Sequence, residues 1–127
     1  TAEDIEKIRK LQAEFARSVA ARAPLDMIAT NREFHAAVAE AGGNTYFTDL
    51  FTRLLDEGQR ILRLYYSSFN DALPRQYVTE HEDMIAAIEA QDIARADALA
   101  VAHADQIVGQ IRSYISADRR PNLDLDL

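Results

Sequence analysis

The 127-residue chain has no cysteine and no tryptophan, and only four glycines and three prolines punctuate it. Without cysteine there is neither a disulfide framework nor a thiolate metal site. With so little glycine and proline, few turns are enforced and long elements are favoured. No run of about 18 apolar residues exists, so no segment is expected to span a membrane as a helix. The opening TAEDIEKIRK lacks the apolar stretch of a signal segment. Positive charge is also short, with 14 Lys and Arg against 21 Asp and Glu for a net charge of −7. The basic residues are scattered rather than gathered on a stripe, so the chain lacks the local positive field that phosphate binding needs. These absences fit a cytoplasmic protein that does not bind DNA through this segment.

What is present is an ordinary globular balance, 48% apolar and 28% charged, at a length suited to one domain with a real core. Apolar residues recur at helical spacing almost throughout, and no stretch alternates as a strand does. The expected fold is all-α, an antiparallel bundle of about five helices. A first helix from Ala2 to about Arg22, capped by Thr1, buries Ile5, Ile8, Leu11, Phe15 and Val19. Pro24 opens a second, ending near Gly42-Gly43, on which Ile28, Asn31, His35 and Val38 share a face. Asn44 caps a long third helix to about Ser68, whose wide apolar stripe predicts a central position, interrupted at Gly58. A fourth spans about Arg75 to Ala90, with Tyr77 or Val78, His81, Met84 or Ile85, and Ile88 inward. Asp92 caps a fifth to about Ser116, with Ala96, Ala100, His103, Ile107 and Ile111 inward. Residues 118–127 read as a frayed tail, leaving 1–117 as the domain.

All three histidines therefore fall on inner faces, each on a different helix. His81 lies ten residues before the turn at Gln91 and His103 twelve after it. At about 1.5 Å per residue the two stand level in an antiparallel pair. His35 fits less well: counted along the third helix it falls roughly 15 Å short of their level. If the three converge, they offer neutral nitrogen ligands suited to Zn²⁺, Ni²⁺ or another late divalent ion. Asn31, one turn before His35, could add a weak oxygen ligand. A centre with neutral ligands keeps the +2 charge of the ion and attracts a carboxylate. Glu80, Glu82 and Asp83 are expected to point away from the inner face. Arg60 and Arg63, beside the third helix's apolar stripe, are candidate effector-binding residues.

NREFHAAVAEAGGN, then EH with AAIEAQD, then ADALAVAH, resemble the effector-binding domain (FCD) of FadR-type regulators in the GntR transcription-factor family. The pattern is an acidic or amide residue four before the histidine of an FH pair, a GN helix start, and an EH segment with a final histidine 22 residues on. The resemblance implies a bundle of six or seven helices around a cavity, often with a bound metal held by one Asp and three His. Here those positions are Asn31 in place of Asp, with His35, His81 and His103. It also implies a small organic acid as effector, a homodimer, and DNA binding through an N-terminal winged helix-turn-helix. Neither that segment nor the family's first effector-domain helix is found, and the start on Thr1 suggests a fragment. The expected function is ligand sensing in a transcriptional regulator. The alternatives are a metal-dependent enzyme acting on a small carboxylate and a purely structural dimerisation bundle.

Overall fold

The structure is a computed structural model that describes residues 1–118. Six helices follow one another: α1 (Ala2–Ala20), α2 (Pro24–Ala41), α3 (Thr45–Glu57), α4 (Gln59–Ser67), α5 (Arg75–Glu89) and α6 (Ile93–Asp118). No strand occurs among the described residues, so the fold is all-α as the periodicity predicts. The expected tail lies outside the described residues, apart from Asp118 at the end of α6. No described helix is long and apolar enough to cross a membrane.

The helix starts follow the capping chemistry of the sequence. The Thr1 hydroxyl accepts from the Asp4 N–H at 3.2 Å, and the Asp4 carboxylate accepts in return from the Thr1 hydroxyl at 2.7 Å. Asn44 Oδ1 accepts from the Phe47 N–H at 3.1 Å, and Asp92 Oδ1 from the Arg95 N–H at 3.0 Å. Between α5 and α6 the chain reverses through Gln91, which takes a left-handed φ of 55°. The N–H groups of Gln91 and Asp92 return to Ile88 and Ala87 carbonyls, both at 3.0 Å, closing the end of α5.

The expected single third helix is two. Gly58 keeps a right-handed conformation (φ −81°, ψ −1°), so the chain bends there without reversing. Its carbonyl accepts from both Ile61 and Leu62, at 3.0 and 3.1 Å. A Cβ on Gly58 would sit 3.1 Å from the Leu54 carbonyl oxygen, so the tight bend suits glycine.

Two buried clusters make the core. Phe15, Met27, Ile28, Tyr65, Tyr66 and Val78, with Leu73, join α1, α2, α4 and α5. Ile8, Phe34, Ala37, Met84 and Ile85 join α1, α2 and α5. The central position expected for the third helix is not taken up: α3 buries none of its residues. Phe47, Leu50 and Leu54 remain 55%, 58% and 57% exposed. α3 packs on α2 and α4 alone, at the edge of the bundle. Arg32 on α2 ties it down through a two-pronged pair with Asp56, at 2.9 and 3.4 Å.

Candidate metal centre

His81 is the best-anchored of the three histidines. It stands on the inner stripe of α5 and is 1% exposed. Its ring stacks on Phe34, with centroids 4.2 Å apart and planes 12° from parallel, and leans on Phe15 at 4.9 Å. Its Nδ1 lies 2.8 Å from Gln12 Oε1, while Gln12 Nε2 donates to the Val78 carbonyl at 3.1 Å. That second bond fixes which way the amide points. Oε1 must accept, so His81 Nδ1 carries the proton and Nε2 is left with its lone pair free.

His103, on α6, is set the same way by a carboxylate. Its Nδ1 is 2.6 Å from Glu80 Oε2, an acceptor, so in the neutral ring the lone pair again falls on Nε2. This Nε2 is buried and has no hydrogen-bond partner. A buried polar atom left without a partner costs about 1–3 kcal/mol, so such an atom calls for a ligand.

His35, on α2, completes the group. Its ring centroid is 4.9 Å from that of His81 and 5.6 Å from that of His103, and His81 and His103 are 5.0 Å apart. One nitrogen from each ring lies within 4.8 Å of the others. Small side-chain rotations would bring them to the roughly 3.4 Å separation of nitrogens around a tetrahedral zinc. The level pairing of His81 and His103 across the Gln91 turn is therefore found. The apparent 15 Å shortfall of His35 disappears because α1 packs against both α2 and α5 and sets their relative height.

Burial also sets the charge state. Loss of solvation, with His103 close by, pushes His35 down to about 3. Burial first, then the neighbouring His35 and His103, holds His81 well below the ordinary imidazole range. Both rings are neutral at physiological pH, the form in which imidazole binds a metal. A histidine whose remote nitrogen is held by an amide or carboxylate while the other faces a common point is the usual arrangement around a bound metal. The donor set thus fits a divalent ion, and the three histidines could hold one.

Beside this cluster lies a cavity of about 660 Å³. Asn31, 6% exposed, reaches it together with His35 and His103. Phe47, Phe51, Leu54 and Leu55 of α3 form one wall, and Ala96, Ala100 and Ala104 of α6 another. Arg60 and Arg63 are not brought to it. Leu62 takes the cavity-facing position on α4, and at about 100° per residue its neighbours project elsewhere. Arg60 is exposed, and Arg63 binds Ser67 and Asp71, each at 2.8 Å.

Two residues that support the site escaped the sequence reading. Glu80 does turn away from His81's own face, but it thereby enters the α5–α6 seam and reaches His103. Gln12 sits one turn after Ile8 on the apolar stripe of α1, and a polar residue in that register was the available clue.

A family model described as the FCD domain matches residues 1–106. Neither a search of curated proteins nor a search of solved structures found a match. The helical bundle, the position of its histidines and this match over most of the chain agree: the chain belongs to the FCD domain family, which is typically the effector-binding part of GntR-type regulators.

Proposed function

We propose that the domain senses a small organic acid at a divalent metal, Zn²⁺ or Ni²⁺, held by His35, His81 and His103 with Asn31 alongside. The observation that carries this reading is the unpartnered, buried Nε2 of His103, pointing where two other neutral imidazoles converge. Family membership supports it, since FCD domains often bind metals. When bound, the ion supplies a positive charge and an open coordination position to a carboxylate.

The chain's own residues divide the remaining work. Gln12 and Glu80 hold the protons on the remote nitrogens of His81 and His103 and so aim their lone pairs. Phe34 and Phe15 fix the His81 ring by packing. Asn31 offers a carbonyl oxygen without adding charge, so the acid meets an undiminished +2. Arg60 and Arg63 stand outside the cavity, so the ion rather than a guanidinium meets the carboxylate. No carboxylate side chain lines the cavity among the described residues. Glu80 is engaged by His103 and is poorly placed to act as the base that hydrolysis at a metal would need.

In the parent regulator the acid would act by binding two arrangements of a cytoplasmic homodimer unequally, so that occupancy shifts the DNA affinity of a winged helix-turn-helix. Elemental analysis of the purified domain, followed by calorimetry with a panel of organic acids before and after chelation, tests the reading. Stoichiometric metal and acid binding that vanishes on chelation is the expected result. Equal acid binding after chelation removes the metal from the mechanism.

A further inference from the structure

The distribution of polarity around the cavity is one-sided. Asn31, His35 and His103 gather at its inner end, and among the described residues no arginine, lysine, serine, threonine, aspartate or glutamate lines the rest. The opposite wall is a continuous apolar surface. Phe47 and Phe51 stand with rings nearly parallel, 10° apart at 5.7 Å between centroids, and Leu54, Leu55 and Leu62 extend it. Phe47 and Leu54 remain more than half exposed, so this wall keeps apolar area that a bound molecule could cover. The alanines on the facing side of α6 leave room for such a molecule. At about 660 Å³ the cavity has the size of ordinary small-molecule sites.

Resting on the reading above, we infer that the acid is an amphiphile, with a single carboxylate that faces the histidine centre and an aliphatic or aryl-alkyl body that covers the α3 wall. A dicarboxylate or sugar acid would carry a second polar group into a wall that offers no partner, and desolvating that group brings no return. An amphipathic helix or a second copy of this chain would cover the apolar wall as well, but its apolar side chains would leave the open coordination position of the bound ion without an anionic ligand. A carboxylate head on the centre satisfies both ends at once.

The test loads the whole chain with Co²⁺, whose visible spectrum reports its ligands, and titrates octanoate, succinate, gluconate and octanol by calorimetry and absorption. Octanoate is expected to change the cobalt spectrum and to bind at least about tenfold more tightly than succinate, gluconate or octanol. Leu54→Glu, at an exposed position of the wall, should leave the cobalt spectrum unaltered and weaken octanoate about fivefold or more. If that variant misfolds, Leu54→Gln gives the same comparison with a smaller change. A chain that takes up no cobalt overturns the metal-centre reading and this inference with it. A chain that takes up cobalt yet prefers succinate or gluconate overturns this inference alone, whereas octanoate binding that is indifferent to chelation overturns it together with the metal's part in the reading above. Sedimentation as a dimer that excludes octanoate would make the wall a subunit face instead.

Discussion

The bundle has two sides made from similarly apolar helices and put to opposite uses. Around α1, α2 and α5, apolar stripes meet one another, and Phe34, Ile8, Phe15 and His81 are 1–2% exposed. Along α3 and the facing part of α6 the stripes meet a cavity, and Phe47 and Leu54 are 55% and 57% exposed. The packed side holds His35 and His81 neutral and aims His81. The open side leaves apolar surface uncovered next to them. A binding domain needs both, because ligands must be rigidly placed while a guest must find area still to bury.

The sharpest way to break this comparison is to remove an aromatic or aliphatic side chain from each side. Phe34→Ala should destabilise the chain by about 3–5 kcal/mol, and Leu54→Ala by less than about 1 kcal/mol, in urea unfolding. Similar losses at both positions would mean that α3 is core after all. Acid comes next. The folded pKa of His35, about 3, lies below the ordinary 6.5, so the unfolded chain binds a proton that the native chain refuses. His81 shifts in the same direction. Stability of the metal-free chain is therefore fully present above about pH 6.5 and falls as pH drops towards about 3. The slope approaches about 1.4 kcal/mol per pH unit for each histidine. Thermal melts across that range, compared with a His35→Gln variant of reduced slope, would show it.

Three further substitutions probe the centre more finely. Gln12→Met and Glu80→Gln remove or weaken the groups that orient His81 and His103, and each should lower zinc affinity by about 10–100-fold in competition with a chromogenic chelator. The effect of Gln12→Met should exceed that of Glu80→Gln, which keeps an amide oxygen able to accept from Nδ1. Asn31→Asp adds charge beside the three histidines and should raise zinc affinity by about tenfold. An unchanged affinity would place Asn31 outside the coordination sphere.

Much of the site was legible along the chain. The pairing of His81 with His103 depended on one short turn and a fixed rise per residue, quantities that local chemistry controls. The position of His35 did not follow from the same counting, because the count ran through a third helix taken as straight. Gly58 bends that helix, and contacts of α1 with both α2 and α5 set the height of His35 instead. Arg60 and Arg63 do lie beside an apolar stripe, but that stripe turns Leu62 to the cavity and leaves Arg63 to Asp71. Gln12 and Glu80 illustrate the harder case. Their partners are 69 and 23 residues away, and no local pattern names a partner at that distance.

By itself, then, the sequence determined the helices, their caps, their inner faces and the set of three histidines, because periodicity, capping and propensity are properties of a few neighbouring residues. Tertiary structure alone decided which apolar faces became core and which became cavity wall, since burial belongs to two surfaces together and never to one. It also decided which nitrogen of His81 and of His103 keeps its lone pair. That choice was made by Gln12 across from His81 and by Glu80 across from His103, and with His35 beside them it turns three inward-facing rings into one donor set.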